Sequence, residues 1–198
     1  MTGAARKLPP MMDVADFLDW PGDGTDTRYE LIDGVLRAMA PGSDANGTIV
    51  GNMCAIIGSH LRSARPSYRG VVSPNVQPRI RAKWNVRIPG LGVTCAPNKA
   101  GDLFTPDPVL LVEVLSPSNA AETYESVRAY ATLPSVKEIL VVHSTRIEVE
   151  VLVRGADGNW PAHPSNVNGG ELRLESIDGG IAVADIYANT HLIENRPA

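Results

Sequence analysis

The sequence predicts an α+β or α/β fold, a mixed β-sheet flanked by helices. Eighteen Gly and sixteen Pro among 198 residues imply many short elements joined by tight turns rather than a helical bundle. Two short, apolar, β-rich runs at 109–115 and 139–142 flank a helical stretch at 120–133; strand, crossover helix and strand make a right-handed parallel βαβ unit. The strictly alternating residues 146–153 read as a half-exposed hairpin partner, which makes the sheet mixed. With 43% hydrophobic residues the chain can bury a real core. No repeat or linker divides it, so one domain over 1–198 with its core at about 12–190 is expected.

Taken in order, Met12, Ala15, Phe17 and Leu18 predict a short amphipathic helix over 11–19, stopped by Pro21 and the run Gly22–Asp26. Tyr29–Ile32, Asp33-Gly34 and Val35–Ala38 then read as a hairpin, because Asp-Gly supplies the positive φ angles of a two-residue turn. Ile49, Val50, Met53, Ile56, Ile57 and Leu61 fall at helical spacing over 47–63, behind a polar loop able to cap the helix. From 69 to 94, β-branched runs at Val71-Val72, Val76–Ile80 and Val86–Val93 alternate with Pro and Gly and read as strands. A loop over 95–108 leads into the βαβ unit. Beyond Gly155 a weak strand at 171–177 and an apolar segment at 181–187 remain.

Charge is distributed unevenly. The formal net charge is −4, yet the 57 residues between Asp44 and Asp102 carry no acid and eight basic residues, among them Arg79, Arg81, Lys83 and Arg87. Such a stretch suits a polyanion, and Arg79, Arg81, Lys83 and Arg87 are the candidate nucleic-acid contacts. The competing reading is that folding brings acids from elsewhere among these bases. Cys54 and Cys95 lack CxxC or Cys/His companions, so reduced thiols rather than zinc ligands are expected. The N-terminal segment has a basic start but carries Asp13, Asp16 and Asp19 where a secretory signal is apolar. No run approaches ~18 consecutive apolar residues, so the expectation is a cytoplasmic protein without a membrane span.

The most apolar strand carries a single carboxylate, Glu113. Burying an ionised Glu costs several kcal/mol unless it is paired, hydrogen-bonded or metal-bound. The bland alternative is a strand-end carboxylate bonded to backbone or Arg. Asp107 precedes it by six residues, which at ~3.3 Å each puts roughly 20 Å between the side chains, too far for a shared ion. A second carboxylate must come from a neighbouring strand, most naturally the antiparallel one around Ile88-Pro89; Asp102 or Asp107 could join only by folding back.

The strings Arg28-Tyr29-Glu30-Leu31-Ile32-Asp33-Gly34, Ala40-Pro41, Ile88-Pro89 with Val93 and Cys95, and Leu111-Val112-Glu113-Val114-Leu115-Ser116-Pro117-Ser118 resemble, in order and spacing, the Uma-two family of restriction-endonuclease-like proteins in the PD-(D/E)XK nuclease superfamily. The resemblance runs on through Tyr130 and Leu140–Val142. It implies a restriction-endonuclease-like mixed sheet flanked by helices, a Mg²⁺-dependent hydrolytic site, duplex DNA as partner and, by the symmetry of duplex cleavage, a homodimer. Carried over, Glu113 resembles the family's catalytic, metal-binding Glu and Glu30 its N-terminal catalytic acid. The alternative for Glu30 is a half-exposed strand residue paired with Arg28 or Arg37.

Three positions depart from the family pattern. The expected Asp falls on Gly90, the expected Lys on Ser126 and a usual His on Asn46. Losing a metal carboxylate and a catalytic cation strikes the chemical step. Two functions therefore compete: an active Mg²⁺-dependent DNA endonuclease, and a catalytically impaired member that keeps the fold as a DNA-binding or oligomeric module. The missing Asp and Lys favour the second.

Overall fold

A computed structural model describes residues 11–193; the basic start of the chain, within 1–10, lies outside the described residues. The short helix α1 (Val14–Asp19) begins at Asp13, whose carboxylate accepts the Asp16 N–H, as an N-cap should. A two-stranded hairpin follows, β1 (Tyr29–Ile32) with β2 (Val35–Ala38). Asp33 and Gly34 take φ of 50° and 85°, the pair of positive values expected of an Asp-Gly turn. Helix α2 (Asp44–Ala64) is capped by Ser43, which accepts from Asn46 N–H, and buries Ile49, Met53, Ile57 and Leu61 along one stripe.

The main sheet has six strands in the order β3-β4-β5-β6-β7-β8. These are β3 (Arg69–Val72), β4 (Leu91–Thr94), β5 (Pro108–Leu115), β6 (Glu138–His143), β7 (Val149–Val153) and β8 (Ser165–Val167). Among the described residues, only β5 and β6 run parallel, joined by helix α3 (Ala120–Tyr130), and the other pairs of this sheet are antiparallel. Because side chains alternate along a strand, β5 serves two layers. Leu110, Val112 and Val114 pack toward α2, while Leu111 and Leu115 join Val127, Tyr130 and Leu133 on the α3 side. Glu113 belongs to the α3 side. A second hairpin, β9 (Glu171–Leu174) with β10 (Gly179–Ala182), and the short helix α4 (Val183–Ile186) complete the α2 layer.

The sequence reading departs from the structure mainly between residues 76 and 88. Instead of strands there are two isolated bridges, Leu31 to Val86 and Val76 to Arg87, around a 3₁₀ turn at Ala82–Trp84. Pro78 and Pro89 remove ladder donors, and Arg81 is held at a φ of 45°, so no continuous strand can form. The bridge from Leu31 nevertheless ties the hairpin to the segment leading into β4. The helix expected over 120–133 ends at Tyr130, and the weak strand expected over 171–177 gives way to a 3₁₀ turn from Glu175. No helix among the described residues is long and apolar enough to cross a membrane.

Candidate active site

Glu113 sits two residues before the end of β5 on the face covered by α3. Its carboxylate accepts the Tyr130 hydroxyl at 2.7 Å. In the antiparallel register Leu91 pairs with Val112, so the next position along, Gly90, lies beside Glu113, and the Gly90 N–H favours the Glu113 carboxylate. Burial pushes the Glu113 carboxyl up to about 8; the Tyr130 hydrogen bond opposes the shift, and the neighbouring charge of Glu30 adds to it. Tyr130 is fully buried, and that burial with the two carboxylates raises its phenol well above the ordinary value.

Glu30 reaches the same place from the hairpin. The bridge between Leu31 and Val86 docks β1 on the segment leading into β4, and Glu30 Oε1 accepts the Ile88 N–H at 2.6 Å. Burial raises its carboxyl; Ile88, Arg87 and Arg37 hold it down. The pairing of Glu30 with Arg28 or Arg37 considered from the sequence is not what forms: Arg37 instead binds Glu125 on α3 at 2.8 Å. Glu30, Glu113, Arg37, Ser118, Asn119, Glu122, Thr123 and Ser126 line a hollow of about 210 Å³. That is smaller than the roughly 300–1,000 Å³ of sites for drug-sized ligands and matches a hydrated ion or one phosphate group.

Ser126 occupies the inner face of α3, 4% exposed, on the wall of this hollow. Arg87 corrects the sequence reading: it is 3% exposed rather than on the surface, and its Nη1 points at Ser126 Oγ from 3.4 Å. Its burial follows from the bridge to Val76, which turns this part of the segment inward. Arg79, Arg81 and Lys83 are exposed. Arg81 pairs with Asp33 at 3.0 Å and Lys83 with Asp13 at 3.4 Å, so folding does bring acids among these bases. Asn46 serves the α2 cap and does not line the hollow. Asp102 accepts from Lys99 N–H, and Asp107 lines a separate hollow with Arg79 and Thr105; neither folds back to Glu113.

A second polar cluster was not read from the sequence. His143 at the end of β6, with Glu148 and Glu150 from the following hairpin arm, places one donor atom of each residue within 4.8 Å of the others. Tyr124 of α3 donates to Glu150 at 2.6 Å, and His143 Nε2 lies 2.8 Å from the same oxygen. Arg146 fills the remaining side, 2.9 Å from Glu148 and 3.1 Å from His143 Nε2, and holds the Glu148 carboxyl below its usual range. A guanidinium thus already supplies the positive charge between these carboxylates. The alternation that puts Glu148 and Glu150 on one face was visible in the sequence; His143 and Tyr124 come from other elements and were not.

Comparison with known proteins agrees with this architecture. A crystal structure of a putative nuclease belonging to DUF820 from Anabaena variabilis matches with a TM-score of 0.69 over 89% of this chain and 97% of that chain, at 13% identity; it supports the fold alone. An uncharacterized protein of Synechocystis sp., slr1290, is 29% identical over 182 residues, 90% of this chain and 92% of the relative. The family model Uma2, described as "Putative restriction endonuclease", matches residues 14–185, a span containing the hairpin that delivers Glu30, the strand that carries Glu113 and the helix between them and solvent. With a mixed sheet of the same architecture beneath that site, the chain belongs to the Uma2 family of putative restriction endonucleases.

Proposed function

We propose that this protein is a nuclease-fold member that binds duplex DNA and does not cleave it. The observation that carries the reading is Gly90 beside Glu113, where a carboxylate would be needed to complete a metal site of neighbouring strands. The remaining donors do not suit Mg²⁺. One Glu113 oxygen is engaged by Tyr130 and one Glu30 oxygen by Ile88 N–H. The Glu113 carboxyl, raised to about 8, must also shed a proton before it can ligate, because hard cations take ionised oxygen donors. The buried Arg87 guanidinium acts electrostatically on both groups. Ser126, in place of a lysine, offers no charge to the hollow. Exposed Arg79, Arg81 and Lys83 support retained contact with phosphates.

The test is nicking of supercoiled plasmid by the purified protein with Mg²⁺ or Mn²⁺. No cleavage is expected, and cleavage that Glu113→Ala removes would sink the reading. Gly90→Asp with Ser126→Lys provides the converse. Among the described residues a Cβ at position 90 meets Val112 O and Val50 Cγ2, both at 3.4 Å, so a side chain can start there, and calorimetry should register a gain in Mn²⁺ binding.

A further inference from the structure

Arg87 is a buried guanidinium with more donors than partners. Besides the long Nη1 contact to Ser126, its Nη2 lies 3.9 Å from Glu125 Oε1, and its Nε has no hydrogen-bond partner among the described residues. A guanidinium presents five N–H donors and keeps its charge in the interior, so nearby carboxylates must balance it. Glu125, 3.9 Å away, does so and shares Arg37; Glu30, which accepts the N–H of the residue after Arg87, Ile88, and Glu113 border the hollow that Ser126 walls. Two fixed cations, Arg37 and Arg87, therefore stand among three carboxyl groups. The negative charge that would draw a divalent ion into the hollow is largely cancelled from within the protein.

We propose that Arg87 is the resident cation of the Glu30–Glu113 site, filling the electrostatic role that a divalent ion takes where carboxylates stand alone. The inference rests on the non-cleaving reading above and deepens it: beyond lacking a ligand at position 90, the site carries its own counter-ion. An arginine that merely packed would leave ion binding untouched when replaced by an uncharged side chain of similar length.

The probe is Mn²⁺ alone, followed by electron paramagnetic resonance of the free ion against the full chain. Arg87→Met should bind Mn²⁺ at least about tenfold more tightly than the wild type, because the carboxylates lose their internal partner. Its melting temperature should rise with Mn²⁺ while that of the wild type does not. Adding Glu113→Gln should remove the gain, and Arg87→Lys, which keeps the charge, should behave as wild type. Equal Mn²⁺ binding by wild type and Arg87→Met overturns the proposal. If Arg87→Met does not fold, the wild type decides: Mn²⁺ binding that Glu113→Gln abolishes overturns it, and no such binding supports it. Plasmid cleavage by the wild type would remove the non-cleaving reading, whereas a non-cleaving protein whose Arg87→Met variant gains nothing removes only the role given to Arg87.

Discussion

Glu113 illustrates how a single side chain couples the interior to pH. Its carboxyl is raised from an ordinary value near 4.5 to about 8, chiefly by burial. The folded protein then holds a proton that the unfolded chain releases across that interval, so stability falls as pH rises. This contribution is fully present below about pH 4.5 and is lost as the pH climbs through about 8; the raised Glu30 carboxyl acts in the same direction. Glu113→Gln keeps an oxygen to accept the Tyr130 hydroxyl but cannot ionise. Urea unfolding at several values between about pH 5 and pH 9 should show wild-type stability declining more steeply than that of the variant, with the two diverging toward high pH. Parallel curves would mean that Glu113 titrates as an ordinary surface acid.

At the scale of elements, α3 brings Ser126, Glu125 and Tyr130 to the site, and the end of the helix is fastened from outside. Arg154, just past β7, donates to Ala131 O at 3.0 Å, Leu133 O at 2.7 Å and Val136 O at 2.9 Å, and its guanidinium lies 4.7 Å from the Trp160 ring centroid. These carbonyls follow the last helical turn, where acceptors lack intrahelical donors. Arg154→Met should cost about 2–3 kcal/mol in urea unfolding; Arg154→Lys should recover less than half, since a compact ammonium cannot span three carbonyls. A loss under about 0.5 kcal/mol, ordinary for a surface change, would refute the fastening. Elements of this kind differ in how well the sequence announces them. The stripe of Ile49, Met53, Ile57 and Leu61, the Asp33-Gly34 turn and the apolar β5 and β6 each follow from local periodicity or turn chemistry. The segment 76–88 could not be read that way, because Pro78, Pro89 and the left-handed Arg81 leave two isolated bridges, one closing the segment on itself between Val76 and Arg87 and the other reaching the distant Leu31.

For the whole molecule, charge along the sequence and charge in space differ in an informative way. Glu30 and Glu113 meet only because the hairpin docks on the segment leading into β4, and the sequence joined them through resemblance rather than through any spacing between residues 30 and 113. Nothing local distinguishes Arg87, which turns inward, from Arg79, Arg81 and Lys83, which stay exposed. Folding also gives Arg65 the partner Asp178 at 3.0 Å, Arg81 the partner Asp33 and Lys83 the partner Asp13, which dilutes the acid-free stretch. Exposed pairs of this sort contribute only about 0–1 kcal/mol, so phosphates can compete for Arg81 and Lys83, and Arg79 presents its charge directly. Duplex binding measured by fluorescence anisotropy across a salt series should therefore weaken as salt rises. Replacing Arg79, Arg81 and Lys83 together by Ala should reduce the slope of log K against log salt by about 2–3, near 0.9 for each phosphate no longer neutralised. Arg87→Met should leave that slope unchanged, because a guanidinium 3% exposed releases no counter-ions from DNA. A triple variant that keeps the wild-type slope would place the DNA contact elsewhere, and a change of slope in Arg87→Met alone would mean that this arginine turns outward on the duplex.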